Sequence, residues 1–84
     1  MTRDKLIDFM IARVDVNHLS NVYNLMCYER IPLQVANNSL YYMLDDLVEE
    51  FTKDNDLSDS WFEENFMDID ELFEEILDKA FDKY

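Results

Sequence analysis

The sequence predicts an all-α fold, a small bundle of four to five helices in a single domain over residues 1–84. Two observations support this prediction. Apolar residues recur at intervals of three and four in most segments, which is the period of an amphipathic helix. Residues that commonly cap helices stand before these segments, and the single proline, Pro32, falls between two of them. A chain of 84 residues is long enough for one hydrophobic core.

Helical periodicity divides the chain into segments. These segments are residues 3–14, 18–29, 39–54, 61–65 and 69–83. Their predicted starting residues are, in the same order, Thr2, Asn17, Asn38 or Ser39, Ser60 with Glu63, and Asp68 with Glu71. Pro32 ends the second segment, because it lacks an amide hydrogen and biases the preceding residue towards extended geometry. Residues 31–36 are therefore predicted to form a loop or one short strand.

The charge of the chain is divided unevenly between its two halves. Residues 1–44 carry four acidic and four basic residues and are balanced, whereas residues 45–84 carry sixteen acidic and three basic residues. The second half therefore holds the whole formal net charge of −13. A chain that needed charge for solubility alone would mix the two signs, as the first half does. The asymmetry predicts a binding role for the acidic half, with an ordinary solvated surface as the alternative.

The composition disfavours several classes of function. Glycine is absent, and the phosphate-binding loops of common nucleotide enzymes require it. His18 and Cys27 are the chain's single histidine and cysteine, so neither a nucleophile–base pair nor a zinc site is expected. Residues 54–58 begin like a calcium-binding EF-hand loop, but Asp59 and Asn65 stand where that loop needs glycine and glutamate. We therefore expect no cofactor and no metal, and an enzyme is the least favoured interpretation.

The chain is expected to act in the cytoplasm and away from membranes. A single cysteine fits a reducing compartment, and the sequence shows neither a signal peptide nor an apolar run of about 18 residues. Direct binding to nucleic acid is disfavoured, because phosphates attract Lys and Arg rather than carboxylates. A short, self-repelling chain has a thin stability margin, which a homodimer or a docked partner would offset.

Acidic residues recur every four residues along two of the predicted helices. The 70–82 row consists of Asp70, Glu74, Asp78 and Asp82, the 46–54 row of Asp46, Glu50 and Asp54, and the 71–75 row of Glu71 and Glu75. Successive members of a row lie about 6 Å apart along the helix axis. Successive phosphates of a nucleic-acid strand rise by about 3.4 Å along the axis and follow a longer winding path. Such rows on adjacent helices would present a negative surface shaped somewhat like a duplex backbone.

Tyr42 is predicted to lie almost opposite the apolar stripe that includes Leu44 and Phe51, at the head of the 46–54 row. An exposed tyrosine beside acidic residues is a common interface anchor, and a lone surface tyrosine is the alternative. Trp61 and Phe62, at the start of a helix, are more typical of core residues than of contact residues.

In size, charge, unpaired cysteine and acidic rows, the chain resembles small acidic proteins that phages and mobile elements encode to disable host defences. These include DNA-mimicking anti-restriction proteins and anti-CRISPR proteins. The resemblance is one of type, without a family motif, and it implies an inhibitor that occupies the basic nucleic-acid-binding groove of a CRISPR effector or restriction enzyme. The alternative is a small helical adaptor or regulatory subunit that binds through an apolar face. The residues expected to contact the partner are Tyr42, Asp46, Glu50, Asp54, Asp70, Glu74, Asp78 and Asp82.

Overall fold

The computed structural model describes residues 2–81, and the secondary structure in this part of the chain is entirely helical. The helices are α1 (Thr2–Ile11), α2 (Val16–Glu29), α3 (Leu33–Ala36), α4 (Asn38–Asp54), α5 (Trp61–Asn65) and α6 (Ile69–Phe81). The predicted all-α bundle is therefore confirmed. The principal-axis extents are 37 × 30 × 19 Å, and the thinnest of these corresponds to two helix layers, since a helix with its side chains is about 10 Å wide.

Helix α6 packs against three other helices. It contacts α1, α2 and α4. Its apolar stripe is buried and consists of Ile69, Leu72, Phe73, Ile76 and Leu77. These side chains belong to one cluster of buried residues, and every buried residue in the described part of the chain is apolar. The acidic residues of α6 are therefore confined to the two flanks and the outer face of the helix.

The prediction of a loop or strand at 31–36 is wrong, because α3 forms one turn of helix there. Pro32 is extended, with φ −74° and ψ 167°, and its carbonyl accepts hydrogen bonds from the amides of Val35 and Ala36. The amide of Leu33 donates to the Asp70 side chain at 3.1 Å, and the Leu33 side chain is fully buried. A short helix is stable here because α6 supplies the cap and the core accepts its leucine.

The boundary between the first two helices differs from the prediction. Helix α1 ends at Ile11, and α2 begins at Val16 with Asp15 as its cap rather than Asn17. The Asp15 carboxylate accepts hydrogen bonds from the amides of Asn17 at 3.0 Å and His18 at 3.4 Å. Aspartate is favoured at this position because its charge also interacts well with the helix dipole.

The remaining helices begin at or close to the predicted residues. Asn37 caps α4 by accepting a hydrogen bond from the amide of Leu40 at 3.0 Å. Asp68 caps α6 through the amide of Glu71, as predicted, at 2.9 Å. Helix α5 has the predicted bounds but lacks the predicted capping box, because the Ser60 hydroxyl pairs with the Glu64 carboxylate instead.

Trp61 and Phe62 pack against the core, as the sequence predicted. Trp61 lies 5.9 Å from the ring of Phe51 on α4, and Phe62 stacks on Phe66 at 5.3 Å. These contacts attach α5 to the bundle. None of the helices within residues 2–81 combines the length and the apolar content that crossing a bilayer requires.

Candidate interaction surface

The 46–54 row lies on the outer face of α4. Leu44, Val48 and Phe51 point into the core, so the opposite side of the helix faces solvent. Asp46, Glu50 and Asp54 are all exposed there, as the helical period requires. The row therefore forms part of an accessible negative surface on α4.

Two further residues share this outer face of α4. Glu49 and Lys53 line a shallow hollow of about 330 Å³ together with Asp46 and Glu50. Lys53 makes no ion pair with any carboxylate of residues 2–81. The face is therefore mostly negative, with one positive charge near its C-terminal end.

Tyr42 is exposed at the head of the 46–54 row, where the sequence placed it. Half of its surface, 50%, is accessible. Its hydroxyl accepts a hydrogen bond from the Gln34 side chain at 3.3 Å, and its ring meets that of Tyr41 edge-to-face at 5.4 Å. These two contacts hold the ring in position beside α3, so a partner would meet a pre-ordered aromatic surface.

The 71–75 row is paired within the molecule with a single cation of α1. The Arg3 guanidinium forms two hydrogen bonds with the Glu75 carboxylate, one of them at 2.6 Å, and lies 3.8 Å from Glu71. Its plane also covers the ring of Phe66 at 4.4 Å. The hydrogen bonds to Glu75 raise the pKa of Arg3 above its ordinary value. This row therefore takes part in a structural contact. Counting the charges of the two halves of the sequence separately did not predict that contact.

A second ion pair joins the same two helices. Lys79 Nζ lies 2.7 Å from the Asp8 carboxylate, and this contact raises the pKa of Lys79 above its ordinary value. The charged side chains on one flank of α6 thus pair with charged side chains of α1. The acids of the other flank face α2.

The 70–82 row lies along that second flank, and its members differ in their surroundings. Asp70 is half-buried and caps α3 through the Leu33 amide, so it has a structural role. Glu74 and Asp78 are exposed and form no ion pair within residues 2–81. Asp82 lies outside the described residues. Of the residues predicted on this row, Glu74 and Asp78 are the two that the structure leaves open to a partner.

Glu74 and Asp78 form one wall of an open groove between α2 and α6. The groove has a volume of about 600 Å³, and α2 contributes Ser20 and Tyr23 to it. Leu77 and Phe81 of α6 supply apolar surface. Helix packing thus brings Tyr23 to carboxylates and apolar side chains that lie more than fifty positions later in the sequence.

A second hollow, of about 280 Å³, shares Tyr23 and Glu74 with the groove and extends it towards the C-terminus of α2. Cys27 and Arg30 line this extension together with Asp70. The α2–α6 groove therefore has an acidic end at Glu74 and Asp78 and a positive charge, Arg30, at its other end.

Tyr23 is in electrostatic contact with the groove carboxylates. A hydrogen bond to Cys27 raises the pKa of Tyr23 above its ordinary value, and the negative charges of Cys27, Glu74 and Asp78 raise it further. The ring lies 6.3 Å from that of Phe73, which fixes one side of it against the core. Tyr23 thus lines the groove together with both carboxylates, and their charges act on its hydroxyl.

The structure does not bring the two main rows into one site. The 46–54 row borders a hollow formed by α4 alone, whereas Glu74 and Asp78 border the α2–α6 groove. A third acidic hollow, of about 210 Å³, lies between α4 and α5 and is lined by Asp45, Glu49, Asp59 and Glu63. Sequence analysis missed this group because its members come from two helices and a loop. No three of the acidic, histidine or cysteine residues within 2–81 are arranged to hold a metal ion.

An uncharged surface lies at α3 and the first turns of α4. Residues 31–44 contain no charged side chain. Val35, Tyr42 and Met43 are nevertheless exposed there, to 66%, 50% and 40%. The absence of charge in this stretch could have identified it from the sequence. An apolar contact face would lie on this surface.

No protein-family model matches this chain, and no curated protein or solved structure matches it either.

Proposed function

We propose that this protein is an inhibitor that binds a basic nucleic-acid-binding groove of a host defence protein and competes there with DNA or RNA. A CRISPR effector or a restriction enzyme is the partner class that this proposal names. The protein would act in the cytoplasm of the host cell, without a cofactor and without catalysing a reaction. The observation that carries the proposal is the set of exposed carboxylates on α4 and α6 that have no cation partner within residues 2–81.

These carboxylates are arranged in a way that favours electrostatic competition. Asp46, Glu50 and Asp54 follow one another at single helical turns on the outer face of α4. A row of this kind offers the partner's Lys and Arg side chains fixed negative charges at a spacing comparable to that of phosphates. A net charge of −13 adds long-range attraction, which raises the association rate with a basic groove.

The proposal is tested by displacement of nucleic acid. A fluorescently labelled DNA duplex is bound to a CRISPR effector or a restriction endonuclease, and the protein is titrated in while anisotropy is measured at several salt concentrations. We expect displacement at low salt that weakens steeply as salt is raised, because exposed charges are screened beyond about 8 Å at physiological ionic strength.

A variant with Asp46→Asn, Glu50→Gln and Asp54→Asn should displace the duplex less well, because three charges are lost while the side-chain shapes are kept. The matched control removes two exposed charges of the balanced half that make no ion pair within residues 2–81, Asp4→Asn with Glu29→Gln, and should have a smaller effect for each charge removed. Displacement that ignores salt and all of these changes would contradict the proposal.

A second candidate function is a small helical adaptor that binds through the uncharged surface of residues 31–44. The exposure of Val35, Tyr42 and Met43 favours it. A partner or a second copy bound there would bury apolar side chains, so its affinity would change little with salt. A Met43→Gln variant that abolishes binding while the α4 charge variant binds normally would establish this alternative.

A further inference from the structure

We propose that the α2–α6 groove receives an arginine side chain of the partner protein, held by Glu74 and Asp78 against the ring of Tyr23. This inference rests on the proposed function and adds a specific contact point to it. Arginine is the residue named because its planar guanidinium both pairs with carboxylates and stacks on aromatic rings.

The opposite flank of α6 provides a template for this site within the same molecule. There, Arg3 pairs with Glu75, lies 3.8 Å from Glu71 one turn earlier, and covers the Phe66 ring at 4.4 Å. The α2–α6 flank repeats the acceptors: two carboxylates one turn apart, Glu74 and Asp78, beside an aromatic ring. On that flank, however, no cation of residues 2–81 pairs with the carboxylates.

The groove has the shape and the surface for such a side chain. Its volume of about 600 Å³ falls within the range of about 300–1,000 Å³ that is usual for binding clefts. Leu77 forms an apolar base, and Phe81 is 38% exposed at one end. The methylene groups of an arginine can cover these apolar atoms while its guanidinium reaches the carboxylates.

The charges around the groove define where the guanidinium lies. Glu74 and Asp78 are exposed at one end, and Arg30 is at the other. Arg30 repels a second cation, and one oxygen of Asp70 already accepts the Leu33 amide. The incoming positive charge is therefore directed to the Glu74–Asp78 end, beside Tyr23.

The raised pKa of Tyr23 provides a measurable readout that is specific to this site. The charges of Glu74 and Asp78 contribute to that rise after the hydrogen bond to Cys27. A guanidinium placed between these carboxylates and the phenol would offset their charge and lower the Tyr23 pKa. A charge bound far from the groove would not produce this shift, because its field is screened.

The test uses the full chain and a defined probe. The probe is an alanine-based helical peptide with two arginines four residues apart, and its counterparts carry lysine or the neutral analogue citrulline. Binding is followed by ¹⁵N–¹H NMR, and the Tyr23 titration by the ¹³Cζ shift of labelled tyrosine. We expect saturable shifts at Tyr23, Glu74 and Asp78, a lower Tyr23 pKa on saturation, and weaker binding of both counterpart peptides.

Two matched variants separate the groove from the general field. Glu74→Gln with Asp78→Asn removes from the groove two exposed charges that lie one helical turn from each other. Asp46→Asn with Glu50→Gln removes two charges with the same spacing from α4. We expect the groove pair to weaken arginine-peptide binding about tenfold and the α4 pair to weaken it about twofold. A Tyr23→Leu variant, checked for an unchanged melting curve, should also weaken binding, because the stacking surface is lost.

The outcomes distinguish this inference from the proposed function. Equal losses in the two double variants, with salt-dependent DNA displacement retained, would overturn the groove site and leave the inhibitor proposal standing. Equal binding of the arginine and lysine peptides would overturn the assignment of arginine, and equal binding of the citrulline peptide would overturn the charge pairing. Failure of the unmodified protein to displace DNA would overturn the proposed function.

Discussion

Arg3 and Glu75, which are 72 positions apart in the sequence, face each other across the α1–α6 interface with two hydrogen bonds between guanidinium and carboxylate. The charge-balanced half of the chain thus neutralises part of the acidic half in space. Arg3 Nε also donates to the carbonyl of Asn65 at 3.0 Å, which ties α1 to the end of α5 as well. One side chain therefore connects three helices.

Replacing Arg3 should destabilise the fold more than the loss of a positive charge alone. We expect Arg3→Gln to lower the free energy of unfolding by about 1–2 kcal/mol, a value reduced from that of a buried charged pair because the side chain is 37% exposed. Urea unfolding followed by circular dichroism measures the change. Arg13→Gln is the matched control, since Arg13 is exposed and, within residues 2–81, its side chain has hydrogen-bond and cation–π contacts with Phe9 alone. Equal losses would show that the Arg3 contacts contribute nothing specific.

Asp70 should behave as a helix cap rather than as a surface charge. Asp70→Ala removes the acceptor for the Leu33 amide, and we expect a loss of about 1 kcal/mol. Asp70→Asn keeps an acceptor oxygen and should lose less. Thermal unfolding and hydrogen exchange at the Leu33 amide measure these effects. Asp78→Asn, which removes the same charge two turns along the same flank, should leave Leu33 exchange unchanged; faster exchange there would contradict the assignment.

Arg30 ends α2 in the left-handed conformation, with φ 56° and ψ 51°. A residue with a Cβ atom pays about 1–2 kcal/mol for this geometry, whereas glycine does not. Arg30→Gly should therefore raise the free energy of unfolding by about 0.5–1 kcal/mol. Arg30→Ala removes the same charge but keeps the Cβ atom, so it should give no such gain. A gain of equal size in both variants would assign the effect to charge.

Stability should decline in alkaline solution as Tyr23 ionises. Its pKa is raised in the native state by the hydrogen bond to Cys27 and by nearby negative charges, so the native state holds the proton more tightly than the unfolded chain. The resulting stabilisation is complete below the ordinary tyrosine pKa of about 10 and is lost as pH rises through the native value. Urea unfolding across this range should show the decline, and Tyr23→Phe should reduce it. Glu74→Gln with Asp78→Asn should lower the Tyr23 pKa measured by NMR, and an unchanged value would contradict the placement of these charges.

The local sequence was sufficient to predict the long helices. Leu40, Leu44, Val48 and Phe51 recur on one face of α4, and the stripe of α6 is equally regular, so burial of these residues follows from the helical period. The predicted cap of α2, Asn17, was wrong, because Asp15 caps the helix two residues earlier. Aspartate at the earlier position prevailed, because its carboxylate reaches two free amides.

Features that depend on helix packing could not be predicted in this way. Helix α3 has no capping side chain of its own, and its cap comes from Asp70, 37 positions later. The pairing of Glu75 with Arg3 and the meeting of Tyr23 with Glu74 likewise depend on which flank of α6 each helix covers. Sequence spacing identified the rows, whereas packing determined which carboxylates remain available.

The α1–α6 interface also has a consequence for folding kinetics. Its contacts join the first and the last helix in the sequence. The whole chain segment between these helices must therefore be brought round before the interface forms. We expect contacts that require this closure to form after the folding transition state, and contacts that form so late act mainly on the unfolding rate. The ion pairs of Arg3 and Lys79 would therefore lengthen the lifetime of the native state while leaving its rate of formation almost unchanged.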